Sequence, residues 1–423
     1  MSTPAAPSLR TYIPNYDLMN YGGIPTVYHC HHFNLFLDQT IDDALGPDEG
    51  TKLRFIAARE ASHHFIRALV TRAGALTPAE RLEVAQRTFA GMGHGRLQVS
   101  GDRAGGTATG EFLHYGFSWA EKYGQKVRRR KPADAFAAGY AAAALEVAQS
   151  LERETMSAEE TTCIATRAPQ CTFTLKPGPQ AKAVVPVREP DVRARVKPTF
   201  ASATGEDTIS AIAKGLRDFT APVAGDERGL VQAFGVYVTL HLAGYYNRIS
   251  YDALAHVVAN KPALVPMLED LLRESGHVCV FNTFGGILAS PEWEAMVGKH
   301  SGDPQAIILG NLAIARALGF GHWTLAEYQP NERVVLRAPA TYESVYYLTR
   351  HGASDRPSEY FFQGAALAIA QLAHRIDWRQ KPSLTQDFYN SLFKGGTLPW
   401  KVEQTSCTAC GHEYSEVVAT RVG

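Results

Sequence analysis

The pattern of apolar positions predicts helices early in each half of the chain and strands later. A helix is predicted from Thr51 to about Arg72, with Thr51 as its N-cap and Gly74 where a C-terminal glycine belongs. Short stretches with β-branched or aromatic residues between Gly, Pro or charged residues predict strands, namely "GRLQVSG", "GTATGEFLHY", "HWTLAEYQ", "ERVVLRAP" and "CTFTL". Helices around a mainly antiparallel sheet indicate an α+β fold.

The chain contains an ordered internal repeat. The segment "REASHH" at 59–64 returns as "RESGHV" at 273–278, and "GMGHG" at 91–95 returns as "GFGHW" at 319–323. Three single residues pair in the same order: Asn34 with Asn247, Gly139 with Gly364, and Cys163 with Cys407. A repeat of this length indicates two diverged copies of one structural unit.

The repeat also sets the predicted domain boundaries. A prior of roughly 150 residues per domain favours two or three units in 423 residues. Five prolines and mixed charge mark 176–207 as an extended linker. We therefore expect one domain over 1–175 and a second over 208–423.

The composition argues against nucleic-acid binding and membrane binding. Lys+Arg and Asp+Glu both total 42, so no net field draws the chain onto nucleic acid or an anionic membrane. The N-terminal stretch lacks the basic start and apolar run of a signal peptide, which favours a cytoplasmic location. Six cysteines are too few for a disulfide framework, so clustered ones suggest metal or redox chemistry.

A closing signature links the first copy to a known family. Gly139 lies within an apolar helix, Glu160 stands three positions before Cys163, and Cys171 is followed by the aromatic Phe173. This arrangement resembles the end of the 4-vinyl reductase domain. The resemblance implies two tandem domains with an α+β ligand-binding fold, whose pocket takes apolar molecules such as phenols or acyl chains. Such domains usually dimerise, so the tandem would form an internal pseudo-dimer, with a homodimer also open.

The same resemblance implies a metal site. Family members that bear zinc hold it with the acidic residue, the two cysteines and a further cysteine on the preceding helix. Carried over, this set gives Glu160, Cys163 and Cys171 as ligands of zinc or another divalent metal. The helix window 131–145 has no cysteine, and a structural zinc site normally has four ligands, so a water or a histidine would complete it.

The second copy departs further from the signature. Counted from Cys407, the acidic position holds Gln404 and the second cysteine position holds Ser415. "CTACGH" does place Cys407, Cys410 and His412 at zinc-knuckle spacing, but without a second ligand pair. Buried free thiols are the alternative for these two cysteines.

Repeated acid and imidazole side chains are the catalytic candidates. Glu60 and His63 are three residues apart on the predicted helix and project from one largely apolar face. The second copy repeats them as Glu274 and His277, and Glu-x-x-His from two helices can form a di-metal site. A hydrogen-bonded structural pair is the alternative. His94, which follows Gly-x-Gly, completes the catalytic candidates.

"VYHCHHFN" has no counterpart in the second copy and supplies the ligand-binding candidates. These are His29, His31, His32 and Asn34. On a strand His29 and His31 would share a face, whereas on a helix His29 and His32 would do so. Packing at a helix start is the alternative interpretation.

Together these residues favour an enzyme, metal-assisted, that acts on an apolar or aromatic biosynthetic metabolite. The alternative is a non-catalytic protein that binds or senses a hydrophobic small molecule. A tethering protein ranks third. No phosphate loop, nucleophile elbow or His-Glu-x-x-His motif occurs in the sequence.

Overall fold

The structure is a computed structural model that describes residues 9–124, 126–127, 129–153, 155–178, 203–391 and 400–422. Its helices and antiparallel sheets confirm the predicted α+β class. No described helix combines the length and apolarity needed to cross a bilayer.

A five-stranded antiparallel sheet joins the two halves of the chain. Its strands are β1 (Arg10–Ile13), β2 (Leu18–Tyr21), β3 (Ile24–Cys30), β8 (Val231–Ala233) and β9 (Val236–Leu242), in the order β1-β2-β3-β9-β8. The strands β3 and β9 form the seam, with His29 opposite Thr239. Both strands are almost wholly buried, which agrees with their apolar, β-branched sequences.

Each half adds a four-stranded antiparallel sheet of its own. In the first half the strands are β4 (Gln98–Asp102), β5 (Gly105–Gly110), β6 (Met156–Thr162) and β7 (Cys171–Pro177), in the order β4-β5-β7-β6. In the second half they are β10 (Thr324–Gln329), β11 (Arg333–Ala338), β12 (Trp400–Ser406) and β13 (Ser415–Arg421), in the order β10-β11-β13-β12. The strand order is the same in both.

Local irregularities repeat as well. The β6–β7 pairing shifts register between Glu160 and Thr162, and the β12–β13 pairing shifts between Gln404 and Ser406. A single 3₁₀ turn follows each shift, Ile164–Thr166 in the first half and Thr408–Cys410 in the second. Bulges of this kind re-aim side chains, and here they precede the aligned cysteines.

The helices of the first half are α1 (His31–Leu45), α2 (Pro47–Ala73), α3 (Pro78–Gly91), α4 (His114–Tyr123) and α5 (Ala135–Ala148). The predicted helix 51–72 corresponds to α2 and ends before Gly74 as expected. Its start was wrong, because Thr51 lies inside the helix. Pro47 in the first turn and the acidic Asp48 and Glu49 favour the earlier beginning.

The helices of the second half are α6 (Glu206–Thr220), α7 (Ala243–Asn260), α8 (Val265–Cys279), α9 (Gly285–Ala289), α10 (Pro291–Val297), α11 (Pro304–Leu318), α12 (Tyr342–Arg350), α13 (Tyr360–Arg375) and α14 (Gln386–Tyr389). A π turn, Val280–Phe284, connects α8 to α9. The predicted linker 176–207 falls mostly on residues outside the described part. Its ends close β7 and open α6.

Two glycines allow the main helix pairs to approach closely. A Cβ added to Gly139 on α5 would lie 2.6 Å from the carbonyl oxygen of Phe55 on α2. A Cβ on Gly364 of α13 would lie 1.8 Å from the carbonyl oxygen of Arg273 on α8. The aligned glycines therefore serve the same packing role in both halves.

Candidate ligand cavity and metal cluster

A cavity of about 150 Å³ lies where the two halves meet. The β1–β3 segment and α2 supply one side, while the start of α7 and the helix α12 supply the other. Its wall is mainly apolar. The apolar lining residues are Ile13, Leu18, Met19, Ile24, Ala57, Ala61, Leu242, Ala243, Tyr342, Val345 and Tyr346.

Charged side chains converge on the same cavity. Glu60 of α2 forms ion pairs with Arg248 of α7 and with Arg350 of α12, whose Nη1 lies 3.2 Å from Glu60 Oε1. Behind them, Asp252 accepts a 3.0 Å hydrogen bond from Arg248 Nε. Arg153 also lines the cavity. Burial and the neighbouring Arg350 lower the pKa of Arg248 below its ordinary value.

The backbone around this clamp is held by Asn247. Its Nδ2 donates hydrogen bonds of 3.0 Å to the carbonyl oxygens of Ala243 and Tyr342. The amide thus ties the first turn of α7 to the start of α12, the two elements that carry Arg248 and Arg350. The repeat drew attention to Asn247 only as the partner of Asn34.

The structure separates the predicted catalytic pair. Glu60 faces the cavity, whereas His63 Nε2 lies 4.0 Å from Oε2 of the buried Glu146 on α5. Burial lowers the pKa of His63 to about 4. The exposed His64 lines the cavity on the side of Glu60 instead.

The second copy of the pair has a matching environment. His277 Nε2 lies 2.6 Å from Oε1 of Gln371, which occupies the same helical position as Glu146, and its Nδ1 lies 3.1 Å from the Tyr389 hydroxyl. Burial and Glu274 raise the pKa of Tyr389. In both halves the repeated histidine therefore links the helix pair that the close-packed glycines bring together.

His94 and Asn34 lie in the interior beside the β3–β9 seam. Asn34 Nδ2 donates to Nε2 of the buried His114 at 2.9 Å, and Asn34 Oδ1 accepts from the Tyr246 hydroxyl at 2.5 Å. The His94 ring lies 4.7 Å from that of His241 on β9. Burial lowers the pKa of His94 to about 3, so the imidazole is neutral at physiological pH. Sequence reasoning missed His114 and His241 because each stands alone in its motif.

The three histidines of "VYHCHHFN" lie in different environments. His29 ends up in the core, stacked 3.8 Å from Phe33. His31 and His32 lie half-buried at the start of α1, and His32 Nδ1 is 2.8 Å from Nζ of Lys122. Neither of the expected shared faces forms, since the chain changes from strand to helix between Cys30 and His31. The counterpart of His94, His322, pairs with Asp17 at 2.5 Å.

The three predicted metal ligands converge and gain a fourth. One donor atom each from Asp134, Glu160, Cys163 and Cys171 lies within 4.8 Å of the other three. Asp134 immediately precedes α5. It lies within residues 131–145, where the resemblance implies a cysteine ligand. Glu359 occupies the aligned position before α13 in the second half. This repeated acidic residue could have identified Asp134 from the sequence.

The local geometry of this cluster suits a cation. Cys163 and Cys171 place their sulfur atoms 3.8 Å apart, and the buried Glu160 Oε1 has no hydrogen-bond partner. Burial, together with repulsion from Cys163, raises the pKa of Asp134 to about 8. A Cβ at Gly116 would lie 2.5 Å from Asp134 Oδ2 and within 3.3 Å of both sulfur atoms, so a larger residue here would displace the side chains of the cluster. Two sulfur and two oxygen donors match the ligand number and donor types of a tetrahedral zinc site.

The aligned side chains of the second half form a hydrogen-bond network around the carboxylate of Glu359. Glu359 Oε2 accepts from Gln404 Nε2 and from the Ser415 hydroxyl, both at 2.5 Å, and Glu359 Oε1 accepts from Thr341 at 2.5 Å. Amide and hydroxyl donors thus satisfy both oxygens of the Glu359 carboxylate. Within the described residues, Cys407, Cys410 and His412 form no three-ligand group.

Comparison with known proteins assigns no family. No protein-family model matches the chain, and no curated protein matches it. Among solved structures it is similar to the crystal structure of the phenol-responsive sensory domain of the transcription activator PoxR with phenol. The similarity has 15% identity and a TM-score of 0.35, and covers 52% of this chain and 91% of that domain. At this level the likeness assigns neither a fold nor a ligand.

Proposed function

We propose that the chain binds a small apolar or aromatic molecule in the cavity between its halves and does not transform it. The observation that carries this proposal is the mainly apolar wall, which also includes the ion-paired Glu60, Arg248 and Arg350. A cavity of roughly 150 Å³ with apolar walls can hold a single aromatic ring. An apolar pocket with a few convergent polar groups is the usual form of a ligand site.

The same contacts argue against the enzymatic alternative. A general base needs a free lone pair within reach of the substrate. Both carboxylate oxygens of Glu60 are engaged by guanidiniums, Oε2 by Arg248 and Oε1 by Arg350. His63 is directed at Glu146 rather than at the cavity.

Filling the cavity tests the proposal. We expect Ala61→Phe to reduce binding of toluene and phenol at least tenfold, measured by saturation-transfer NMR and calorimetry, because the new ring occupies the ligand space. Ala79→Phe, on an exposed position of α3, is the matched control and should bind normally. Equal binding by wild type and Ala61→Phe would refute the cavity as the site. A probe consumed during prolonged incubation with wild type would favour the enzyme.

We further propose that Asp134, Glu160, Cys163 and Cys171 hold zinc as a structural clip. The clip would tie the start of α5 to the β6–β7 hairpin. The convergence of four acidic or sulfur donors, one of them unpartnered, supports this assignment.

A double substitution tests the clip. Cys163→Ser with Cys171→Ser should lose one equivalent of zinc, measured by mass spectrometry of the purified protein, because the thiolates supply two of four ligands. Cys407→Ser in the second half is the matched control and should keep the metal. Unchanged zinc content in the double variant, or metal loss in the control, would contradict the assignment.

The two halves are proposed to be diverged tandem copies of a domain similar to the 4-vinyl reductase domain, paired as an internal pseudo-dimer. Matching strand order, matching register shifts and the aligned glycine contacts support common descent of the halves. The β3–β9 pairing supports the pseudo-dimer.

A further inference from the structure

We propose that the cavity takes a small carboxylic acid, with its carboxylate held by Arg350 and Arg248 and its apolar body against α2 and the β1–β3 segment. This inference rests on the proposed binding function and adds the chemical class of the ligand.

Charge among the lining residues is the first argument. Three guanidiniums, those of Arg153, Arg248 and Arg350, face the cavity, and Glu60 is the only carboxylate among the described lining residues. A cationic ligand would meet one carboxylate at the wall, which is already paired with two arginines, whereas a carboxylate ligand would meet guanidinium N–H donors. Such complementarity selects ligands by charge.

The placement of the guanidiniums is the second argument. The side chains of Arg248 and Arg350 are only 8% and 12% exposed, so an ion pair formed here is less screened than one on the surface. Each guanidinium has five N–H donors in a planar fork that matches a carboxylate. The contacts with Glu60 and Asp252 use only some of the N–H donors of Arg350 and Arg248.

The third argument is rigidity. Asp252 lies behind both arginines, 3.0 Å from Arg248 Nε and 3.9 Å from Arg350 Nε, and Asn247 fixes the adjoining backbone. Guanidiniums positioned before the ligand arrives lose little freedom on binding, which increases affinity. The wall beyond them is apolar and suits a ring or a short aliphatic body.

Benzoate and benzamide form a matched probe pair, because they share a shape and differ in charge. Calorimetry on the full chain should show benzoate binding at least tenfold more tightly than benzamide. Arg350→Met should weaken benzoate binding ten- to hundredfold while changing benzamide binding less than threefold, since charge-assisted hydrogen bonds are lost. Arg130→Met, at an exposed position, is the control and should leave both affinities unchanged.

Arg350→Lys keeps the charge and protects the test against misfolding of the methionine variant. It should give an intermediate loss for benzoate, because a lysine lacks the planar fork. Equal binding of the two probes, still blocked by Ala61→Phe, would overturn the carboxylic-acid class and leave the binding function standing. Benzoate preference unchanged in both Arg350 variants would overturn the assigned residue. Failure of toluene, phenol, benzoate and benzamide alike would overturn the binding function itself.

Discussion

Acidification from pH 7.5 to 5.5 is expected to lower the free energy of unfolding by on the order of 4 kcal/mol. The cause is a set of buried imidazoles whose pKa values burial lowers: to about 4 for His31 and His63, to about 2 for His32 and to about 3 for His94, and well below the ordinary value for His29, His114 and His241. A loss of this size is a large fraction of the net stability of a typical domain, roughly 5–15 kcal/mol.

The sign follows from proton binding. The unfolded chain protonates its histidines below about pH 6.5, whereas the folded chain keeps these imidazoles neutral to a much lower pH. The stability they contribute is therefore complete above pH 6.5 and is lost as the pH falls toward the folded values. Seven such groups lose about 1.4 kcal/mol each over this interval. Burial raises the pKa of Glu343 and of Asp134 to about 8 and that of Asp38 to about 6, and these three carboxyls return roughly 6 kcal/mol.

Urea unfolding at a series of pH values measures this effect. His94→Gln keeps an amide near the position of Nε2, which lies 3.3 Å from the Leu240 carbonyl oxygen, and removes the titrating group. The variant should show a pH dependence smaller by about 1.4 kcal/mol over the same interval. Stability that is flat between pH 7.5 and 5.5 would contradict the buried, neutral state of these rings.

A Gly364→Ala variant is expected to lose about 3 kcal/mol of unfolding free energy, measured by urea denaturation at pH 7.5. Alanine normally favours a helix over glycine by about 1 kcal/mol. Here its Cβ would meet the Arg273 carbonyl oxygen at 1.8 Å and the His277 nitrogen at 3.0 Å. These are backbone atoms of α8, so the two helices must separate to admit the methyl group.

Two further glycine-to-alanine variants test whether close helix packing causes this loss of stability. Gly139→Ala should also destabilise the protein, because its Cβ would lie 2.6 to 2.7 Å from atoms of α2. Gly91→Ala, where nothing lies within 4 Å of the added Cβ, is the control and should change stability by less than about 1 kcal/mol. A Gly364→Ala protein as stable as the Gly91→Ala protein would refute the close crossing of α8 and α13.

The metal cluster shows which contacts can be predicted from local sequence and which cannot. Glu160, Cys163 and Cys171 come from one hairpin, so their spacing already places them near one another. Asp134 is 26 residues before Glu160, and only the packing of α5 on the hairpin brings its carboxylate to the sulfur atoms. Spacing along the chain could not reveal that contact.

The repeated Arg-Glu-x-x-His segment was interpreted as a catalytic pair, and the structure divides its members between two environments. Glu60 and His63 lie on one helix, but α5 covers the histidine while α7 and α12 approach the glutamate. Helical spacing sets which side chains point in similar directions. It does not set which elements pack against them.

By itself, the sequence determined the α+β class, the repeat, the position of the helix that carries Glu60 and three of the four cluster residues. The class and the helix follow from local periodicity, which the chain records directly, and the repeat follows from comparison of the two halves. The three cluster residues follow from the resemblance to the 4-vinyl reductase domain. Tertiary structure alone decided the cavity, because its lining comes from residues 13 to 350. It also decided the Arg248–Glu60–Arg350 clamp, since Arg350 is 290 residues from Glu60 in sequence and the three side chains meet only when the halves pair along β3 and β9.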